Sequence, residues 1–171
     1  MWSTTKAMTS LCAHILMDRG ELDPDAPVAR YWPEFAAGGK ADIPVRWIMG
    51  HRSGLSGLAV PVSVQDYYDW DKITALLAEQ EPMWEPGTAT DLVLGFPVEW
   101  GLGFALSGPE HHYGPSPAAF GHDGFGGSCV CADSEAGVAI AYVMNRMGLN
   151  LADDPRKMAL IDAVYRSGGR G

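Results

Sequence analysis

The sequence predicts an α/β protein of the α+β type, in which helices pack against an antiparallel sheet. Apolar residues at helical spacing run over 4–19, two strand-like runs at 128–132 and 138–145 flank a polar turn, and an amphipathic segment closes the chain at 153–167. Of the 171 residues, 47% are hydrophobic and 19% are charged, which is typical of a globular domain with a buried core. We therefore expect a single domain over residues 1–171.

The first half of the chain predicts helices joined by a long loop. The helix at 4–19 has Ser3 at the position that caps the first helical amides and Gly20 at the position that tolerates a left-handed backbone. Repeated Xaa-Pro steps predict an extended loop over 21–42. Apolar runs at helical spacing predict two further short helices, at 45–49 and 69–80.

The second half predicts strands and a last helix. Strands are expected over three segments: 96–106, 128–132 and 138–145. The polar segment 133–137 supplies a turn, so the last two strands form an antiparallel hairpin. A helix over 153–167 has an aspartate cap and Pro155 in its first turn. We expect its apolar face to pack on the hairpin.

Composition excludes several classes of partner. The chain has 12 basic and 21 acidic residues and a formal net charge of −9. Negative charge repels phosphate backbones and anionic lipid surfaces, so we expect neither nucleic acid nor membrane as a partner.

Three cysteines form no disulfide framework, and no signal peptide opens the sequence. We expect a soluble cytoplasmic protein.

The first candidate for chemistry is Ser3 with Lys6, a hydroxyl and an amine three residues apart at a helix start. One helical turn brings both side chains to the same side. A serine becomes a nucleophile when a neighbour takes its proton, and a lysine can do so when its pKa is lowered. The amide of Ser3 can also face a developing oxyanion. The alternative is a capping serine beside a solvated lysine.

The second candidate is the glycine-rich segment 121–128, which contains His122 and leads into a predicted strand. Closely spaced glycines let a backbone approach a ligand without a Cβ in the way. An edge strand of this kind can offer an amide to the same oxyanion, and His122 can donate a hydrogen bond beside it. The alternative is a glycine-rich turn with a partly exposed histidine.

Together with the middle of the chain, these segments resemble the class C β-lactamase-like serine hydrolases. The likeness is nearest to the carboxylesterases of that superfamily, whose relatives include penicillin-binding DD-peptidases. It covers most of the chain and rests on the order of five segments: Trp2-Ser3-Thr4-Thr5-Lys6, then Gly20-Glu21-Leu22-Asp23 with Pro27-Val28-Ala29-Arg30-Tyr31-Trp32-Pro33, then His51-Arg52-Ser53-Gly54-Leu55, then Glu85-Pro86-Gly87-Thr88, then His122-Asp123-Gly124.

The resemblance implies a β-lactamase/DD-peptidase-like fold and acyl transfer through an acyl-enzyme. Ser3 is then the nucleophile of a Ser-x-x-Lys motif and Lys6 its proton acceptor. The segment His122-Asp123-Gly124 corresponds to the family's third motif, and the amides of Ser3 and Phe125 are the oxyanion donors. The implied substrate is a small-molecule ester or lactam, and the implied chemistry uses neither a metal nor an organic cofactor.

The sequence departs from that family in two places. In the family, a Tyr-x-Asn motif follows the Pro-Gly loop. Counting on from Pro86-Gly87, its tyrosine falls at Leu92, so the tyrosine is absent. The helical region that follows this motif in the family is missing too, which places an internal gap near residues 89–91. The chain also begins two residues before Ser3, whereas the relatives carry strands and a helix upstream. We therefore expect a shortened, incomplete domain that self-associates through an exposed sheet edge.

Two alternatives stay open at this point. The shortened chain can be a catalytically silent remnant that acts only as a binding or structural module. It can also be a metal-binding protein that uses His111, His112 and His122, although a solvated loop explains the first two better than a metal site and no third ligand has suitable spacing beside them.

Overall fold

Residue contacts divide the chain into two units. The first consists of Met1–Leu16 with Pro97–Gly171, and the second is Met17–Phe96. The computed structural model describes five stretches of the chain: residues 2–88, 94–95, 98–108, 112–150 and 152–168.

The described residues of the first unit form an antiparallel sheet of four strands, which lie in sequence order. The strands are β1 (Ala105–Leu106), β2 (Ala119–Gly124), β3 (Ser128–Asp133) and β4 (Val138–Tyr142). Side chains alternate between the two faces of a strand, and residues directly opposite each other on neighbouring strands share a face. The register therefore decides which side chains of β2 and β3 meet.

The last helix covers one face of this sheet. It is α4 (Pro155–Gly168), and its first turn is capped because the Asp154 carboxylate accepts from the amide of Arg156 at 3.0 Å. Ile161 is 3% exposed and packs on the strands. The core on this face consists of small residues and one tyrosine: Ala105, Tyr113, Ala119, Cys131 and Ile161.

The first helix is anchored within the first unit. A 3-10 turn (Trp2–Thr4) leads into α1 (Thr5–Asp18) and packs against β2 and β3. On α1, the Ser10 hydroxyl donates to the carbonyl of Gly103 at 2.9 Å, and a ring nitrogen of His14 donates to the carbonyl of Leu102 at 2.8 Å. Both bonds fix the helix against the turn before β1.

The second unit contains two short helices and several 3-10 turns. The helices are α2 (Val45–Met49) and α3 (Trp70–Glu79), the latter capped by the Asp69 carboxylate, which accepts from the amide of Lys72. Lys40 is fully buried, and its ammonium donates to the carbonyls of Ala37 and Ala78 at 2.8 Å each. One buried cation thereby joins the loop before α2 to the end of α3.

The predicted elements are largely present. The helices at 4–19, 45–49, 69–80 and 153–167 are confirmed as α1 to α4, and the hairpin is confirmed as β3 and β4. Of the strand predicted over 96–106, the residues Ala105–Leu106 are confirmed as β1. The described residues before it do not continue the strand, because the amide of Gly101 bonds to the carbonyl of Phe104 and the chain turns back on itself. Among the described residues, no helix is both long and apolar enough to cross a bilayer.

The cap of α4 predicts acid sensitivity of the fold. The side chain and amide of Arg156 lower the pKa of Asp154. A lowered folded-state pKa adds stability above the unfolded value of about 4, and that stability is lost as pH falls through the folded pKa. Asp154→Asn keeps a capping acceptor but removes the charge. We expect it to lower the free energy of unfolding by about 1–2 kcal/mol at neutral pH.

The same change makes the loss of stability below pH 4 shallower in denaturant titrations. The matched control is Asp162→Asn on the exposed side of α4, which should change the free energy of unfolding by less than about 0.5 kcal/mol. Equal effects of the two substitutions would contradict this account of the cap.

Candidate active site

The hydroxyl of Ser3 and the amine of Lys6 are in direct contact. Lys6 Nζ donates to Ser3 Oγ at 2.8 Å, across the junction of the 3-10 turn and α1. Although the Lys6 side chain reaches solvent, the protein atoms around its amine exclude part of the water and lower its pKa. The two groups thus have the geometry of a nucleophile and its base. Lys6 is exposed to solvent, as the alternative expects, but its amine contacts the Ser3 hydroxyl rather than standing apart from it.

Thr4 ties this pair to the sheet. The hydroxyls of Thr4 and Ser128 are 2.9 Å apart, and the two residues are 7% and 1% exposed. Ser128 begins β3 and lies opposite Gly124, while Val130 lies opposite His122. The face of β2 that carries His122 is therefore the face on which the Ser3 turn packs.

His122 is buried on that face, at 5% exposure. Its Nδ1 is 2.8 Å from the main-chain oxygen of Asp123, so Nδ1 carries the hydrogen, because a carbonyl oxygen only accepts. The Trp100 ring covers the imidazole at 5.3 Å between centroids. The alternative of a partly exposed histidine is wrong, because this indole shields it from water.

Asp123 lies on the opposite face of β2. Its two carboxylate oxygens accept from Lys157 Nζ at 3.2 and 3.1 Å, and the Asp153 carboxylate accepts from the same ammonium at 2.8 Å. Lys157 is 1% exposed. Burial acts to lower the pKa of Lys157, but the two carboxylates outweigh it and raise that pKa. Within the third motif, His122 thus faces the Ser3 side and Asp123 holds the strand to α4.

The turn after β2 brings Phe125 beside the Ser3 segment. The rings of Trp2 and Phe125 pack edge to face at 6.0 Å. Gly127 has a φ of +107°, and a Cβ there would lie 2.6 Å from a carboxylate oxygen of Asp154. The carbonyl of Gly126 accepts from the Arg156 guanidinium at 2.9 Å. The glycines therefore serve a tight turn that α4 fixes next to the Phe125 amide.

The backbone of Trp2, the residue before Ser3, is strained. Trp2 has a φ of +45°, a left-handed conformation that costs of order 1–3 kcal/mol in a residue with a side chain. Its contact with Phe125 offsets part of that cost. A strained backbone next to a reactive side chain is a common device for holding the side chain in one orientation.

Two of the resembling segments meet within the second unit. Gly87 and Arg52 exchange hydrogen bonds: the Gly87 amide donates to the Arg52 carbonyl at 2.7 Å, and Arg52 Nε donates to the Gly87 carbonyl at 3.1 Å. A Cβ on Gly87 would lie 3.0 Å from the Trp47 ring. The segments around His51 and Pro86 thus form one clasp. The position of the missing tyrosine, Leu92, and the junction at 89–91 lie outside the described residues.

The metal-binding alternative finds no support in the described part of the chain. There, no group of three or more His, Cys, Asp and Glu side chains can hold a metal ion. His112 Nδ1 pairs with Asp153 at 2.5 Å, while His111 lies outside the described residues. Burial raises the pKa of Cys129 to about 12 and that of Cys131 to about 11, so both remain neutral thiols at neutral pH.

A family model decides the relationship of the chain. The model described as Beta-lactamase matches residues 1–91 and 89–165. The chain belongs to the beta-lactamase family. The predicted family is thereby confirmed, and the Ser-x-x-Lys pair, the clasp and the third motif all lie within the matched residues.

A curated protein and a solved structure are similar to parts or most of this chain. A stretch of 58 residues is 55% identical to the esterase/beta-lactamase LipL of Mycobacterium tuberculosis, covering 34% of this chain but only 14% of that protein. The crystal structure of a family VIII carboxylesterase matches with a TM-score of 0.92 and 26% identity, over 97% of this chain and 82% of that one.

Two more distant structures confirm the fold alone. A penicillin-binding protein homolog from Caulobacter crescentus matches with a TM-score of 0.92 at 24% identity, over 98% of this chain and 82% of that one. EstA from Arthrobacter nitroguajacolicus Rue61a matches with a TM-score of 0.87 at 18% identity, over 99% of this chain and 84% of that one. The predicted beta-lactamase-like fold of helices on an antiparallel sheet is confirmed.

The sequence does not indicate which residues hold the candidate site residues in place. Thr4, Trp100, Arg156 and Lys157 hold the predicted residues in place, and each acts across a long stretch of chain. Only Lys157 could have been found by a signal, namely a lysine on the buried side of a helix, the side that faces the strand with Asp123. Identifying the partner requires the register of β2, which the sequence did not supply.

The ion pair under the third motif predicts a large loss of stability on truncation. Lys157→Met leaves the Asp123 carboxylate buried without its cation, and breaking a buried pair in this way costs about 3–5 kcal/mol. We expect Asp123→Asn in the same chain to recover part of the loss. Chemical denaturation of the two single variants and the double variant measures the coupling. Additive effects would contradict a direct interaction.

Proposed function

We propose that the protein is a serine hydrolase that cleaves small-molecule esters through an acyl-enzyme on Ser3. The single observation that carries the proposal is the 2.8 Å contact between Ser3 Oγ and Lys6 Nζ, with the amine held at a lowered pKa. Membership of the beta-lactamase family and the likeness to a carboxylesterase structure support the same chemistry. The proposal extends to lactams as a second substrate class.

In the proposed acylation, a neutral Lys6 amine accepts the hydroxyl proton of Ser3. The Ser3 oxygen forms a bond to the carbonyl carbon of the ester, and the carbonyl electron pair moves to its oxygen. The amides of Ser3 and Phe125 are the proposed donors to that oxyanion. Collapse breaks the bond to the alcohol oxygen, which takes the proton from the Lys6 ammonium and leaves.

Deacylation repeats these transfers with water as the nucleophile. The water gives a proton to Lys6 and bonds to the acyl carbon, and Ser3 leaves with the proton returned from the ammonium. His122 keeps its Nδ1 hydrogen on the Asp123 carbonyl. We assign it to shaping the third-motif strand, with its ring directed to the Ser3 side of the sheet.

The absent tyrosine sets the expected rate. Leu92 stands at the position counted for it and cannot move a proton. Loss of one positioned acid or base typically costs about 10²- to 10⁴-fold, so Lys6 carries both proton transfers and turnover is slow. The silent-remnant alternative differs at this point, because it requires that no acyl-enzyme forms at Ser3.

Substitution of the two central residues tests the proposal. With a fluorophosphonate probe and a p-nitrophenyl ester, we expect the wild type to be labelled and to release nitrophenol, and Ser3→Ala to do neither. Lys6→Arg is the sharper variant, because a guanidinium retains charge and donors but does not lose its proton at working pH. It should abolish turnover. Ser134→Ala, in the exposed turn before β4, should behave as the wild type.

The pH profile supplies a second test. Because the reaction needs the unprotonated amine, activity should rise with pH through the pKa of Lys6, which partial loss of solvation places below the usual value of about 10.4. A folded wild type that is never labelled would favour the silent remnant. Labelling that survives Ser3→Ala would place the nucleophile elsewhere.

We also propose that the protein works in a reducing compartment, as expected for the cytoplasm. Cys12, Cys129 and Cys131 are free thiols, and two of them are buried. Free cysteines persist where glutathione and thioredoxin keep thiols reduced.

A further inference from the structure

The second unit contains a cavity of about 640 Å³, and none of the residues that line it takes part in the chemistry proposed for Ser3. All of the lining residues lie between residues 38 and 86, so one continuous stretch of the chain forms the cavity. Pockets for small molecules usually measure about 300–1,000 Å³. The cavity therefore has the size of a ligand site.

Backbone contacts fix the segments that line the cavity. Gly38 and Gly39 both have a left-handed backbone, with φ of +59° and +75°, and a Cβ on Gly38 would lie 2.8 Å from the carbonyl oxygen of Gln80. This double-glycine turn brings its loop close against the end of α3. In the segment after α3, the amide of Met83 donates to the carbonyl of Gly54 at 2.8 Å. The cavity thus has walls that do not depend on a ligand to form.

Two indole rings are part of these walls. Trp47 comes from α2, and Trp84 comes from the segment after α3. Gly87 leaves room for the Trp47 ring, because a Cβ there would lie 3.0 Å from it. Tryptophan is the aromatic side chain that attracts a cation most strongly, and quaternary ammonium ions are recognised by such rings. An aromatic wall of this kind suits a cation with little bound water.

Three carboxylates line the same cavity. Asp42, Glu81 and Glu85 are all exposed, so their charges are available to a ligand that enters from solvent. No lysine or arginine is among the described lining residues. A ligand with a positive charge is therefore attracted, and one with a negative charge is repelled.

The basic side chains in this stretch of the chain are engaged elsewhere. Lys40 is fully buried and donates to main-chain carbonyls. Burial lowers the pKa of Lys40, and Glu81 partly opposes that shift, so one of the three carboxylates interacts with this ammonium. Arg46 pairs with Asp25 at 2.6 Å. The cavity keeps an excess of negative charge, because one lysine does not offset three carboxylates.

We propose that this cavity binds an organic cation with a quaternary or alkylated ammonium group, which lies against Trp47 and Trp84 and is complemented by the three carboxylates. The combination of walls selects this class of ligand. Carboxylates alone attract any cation, whereas indole rings favour one that sheds its water easily. A neutral ligand gains nothing from the carboxylates. The site is independent of the chemistry proposed for Ser3.

Choline and its neutral isostere test the class of ligand. Neohexyl alcohol has the shape of choline, with a carbon atom in place of the charged nitrogen. In an NMR titration of the wild type, we expect choline to shift the indole N–H signals of Trp47 and Trp84. Choline should bind at least about tenfold more tightly than neohexyl alcohol. Equal affinities would overturn the proposal, and so would choline that leaves both indole signals unchanged.

Neutral replacements test the carboxylates. The triple variant Asp42→Asn, Glu81→Gln and Glu85→Gln keeps the shapes of three exposed side chains and removes their charges. We expect it to raise the dissociation constant of choline by about tenfold or more. The affinity for neohexyl alcohol should stay within about twofold of the wild type, because that ligand has no charge.

A second triple variant is the matched control for net charge. It removes three exposed carboxylates of the same unit that do not line the cavity: Glu21→Gln, Glu34→Gln and Asp71→Asn. We expect it to bind choline within about twofold of the wild type. Equal weakening by the two triple variants would contradict a site at this cavity.

Ionic strength tests the wild type without any substitution, so the proposal stays testable should a variant fail to fold. Raising sodium chloride from about 0.01 to about 1 M shortens the screening length from about 30 to about 3 Å. We expect choline binding to weaken at least several-fold and binding of neohexyl alcohol not to weaken. Choline binding that does not respond to salt would rule out the part proposed for the carboxylates.

Discussion

The hydrogen bond between Thr4 and Ser128 is the contact on which the candidate site depends. It joins two residues that are 124 positions apart in the sequence, and both are buried. A buried hydroxyl without a partner costs about 1–3 kcal/mol, so the two hydroxyls favour each other over separation. Because Thr4 follows Ser3 directly and Ser128 follows the turn containing Phe125, this one bond brings the Ser3 turn and the Phe125 turn to the same end of the sheet.

Side chains alternate along β2, so the two faces of this strand contact different parts of the protein. His122 faces the Ser3 side beneath Trp100, while Asp123 faces α4 and meets Lys157. A strand that carries part of an active site must not slide or twist, and a buried ion pair fixes register because any shift leaves a charge uncompensated. Arg156 adds a bond to Gly126 from the same helix turn. The helix α4 therefore acts on the candidate site through β2 and the turn that follows it.

The features that the sequence predicted correctly depend on contacts between residues close together in the chain. The helix over 4–19, the aspartate cap with Pro155, and the spacing of Ser3 and Lys6 each depend on residues within one or two turns, and each is present. The strand expected at 96–106 is present only at its end, as β1, because an apolar run does not reveal where a chain turns back. Gly101 and Gly103 permit the tight turn before β1, but alternation alone does not distinguish it from a continuous strand.

Tertiary pairing explains the remaining differences. The partners of Lys157 and Thr4 depend on the register of β2 and β3, and Lys40 finds its carbonyls at the end of a helix 38 residues away. Lys40 and Lys157 belong to no motif, and Thr4 fills an unspecified position of the Ser-x-x-Lys motif, so each has a plain surface explanation in the sequence. For the lysines, charge alone does not distinguish a buried, paired side chain from an exposed one, since lysines are usually exposed.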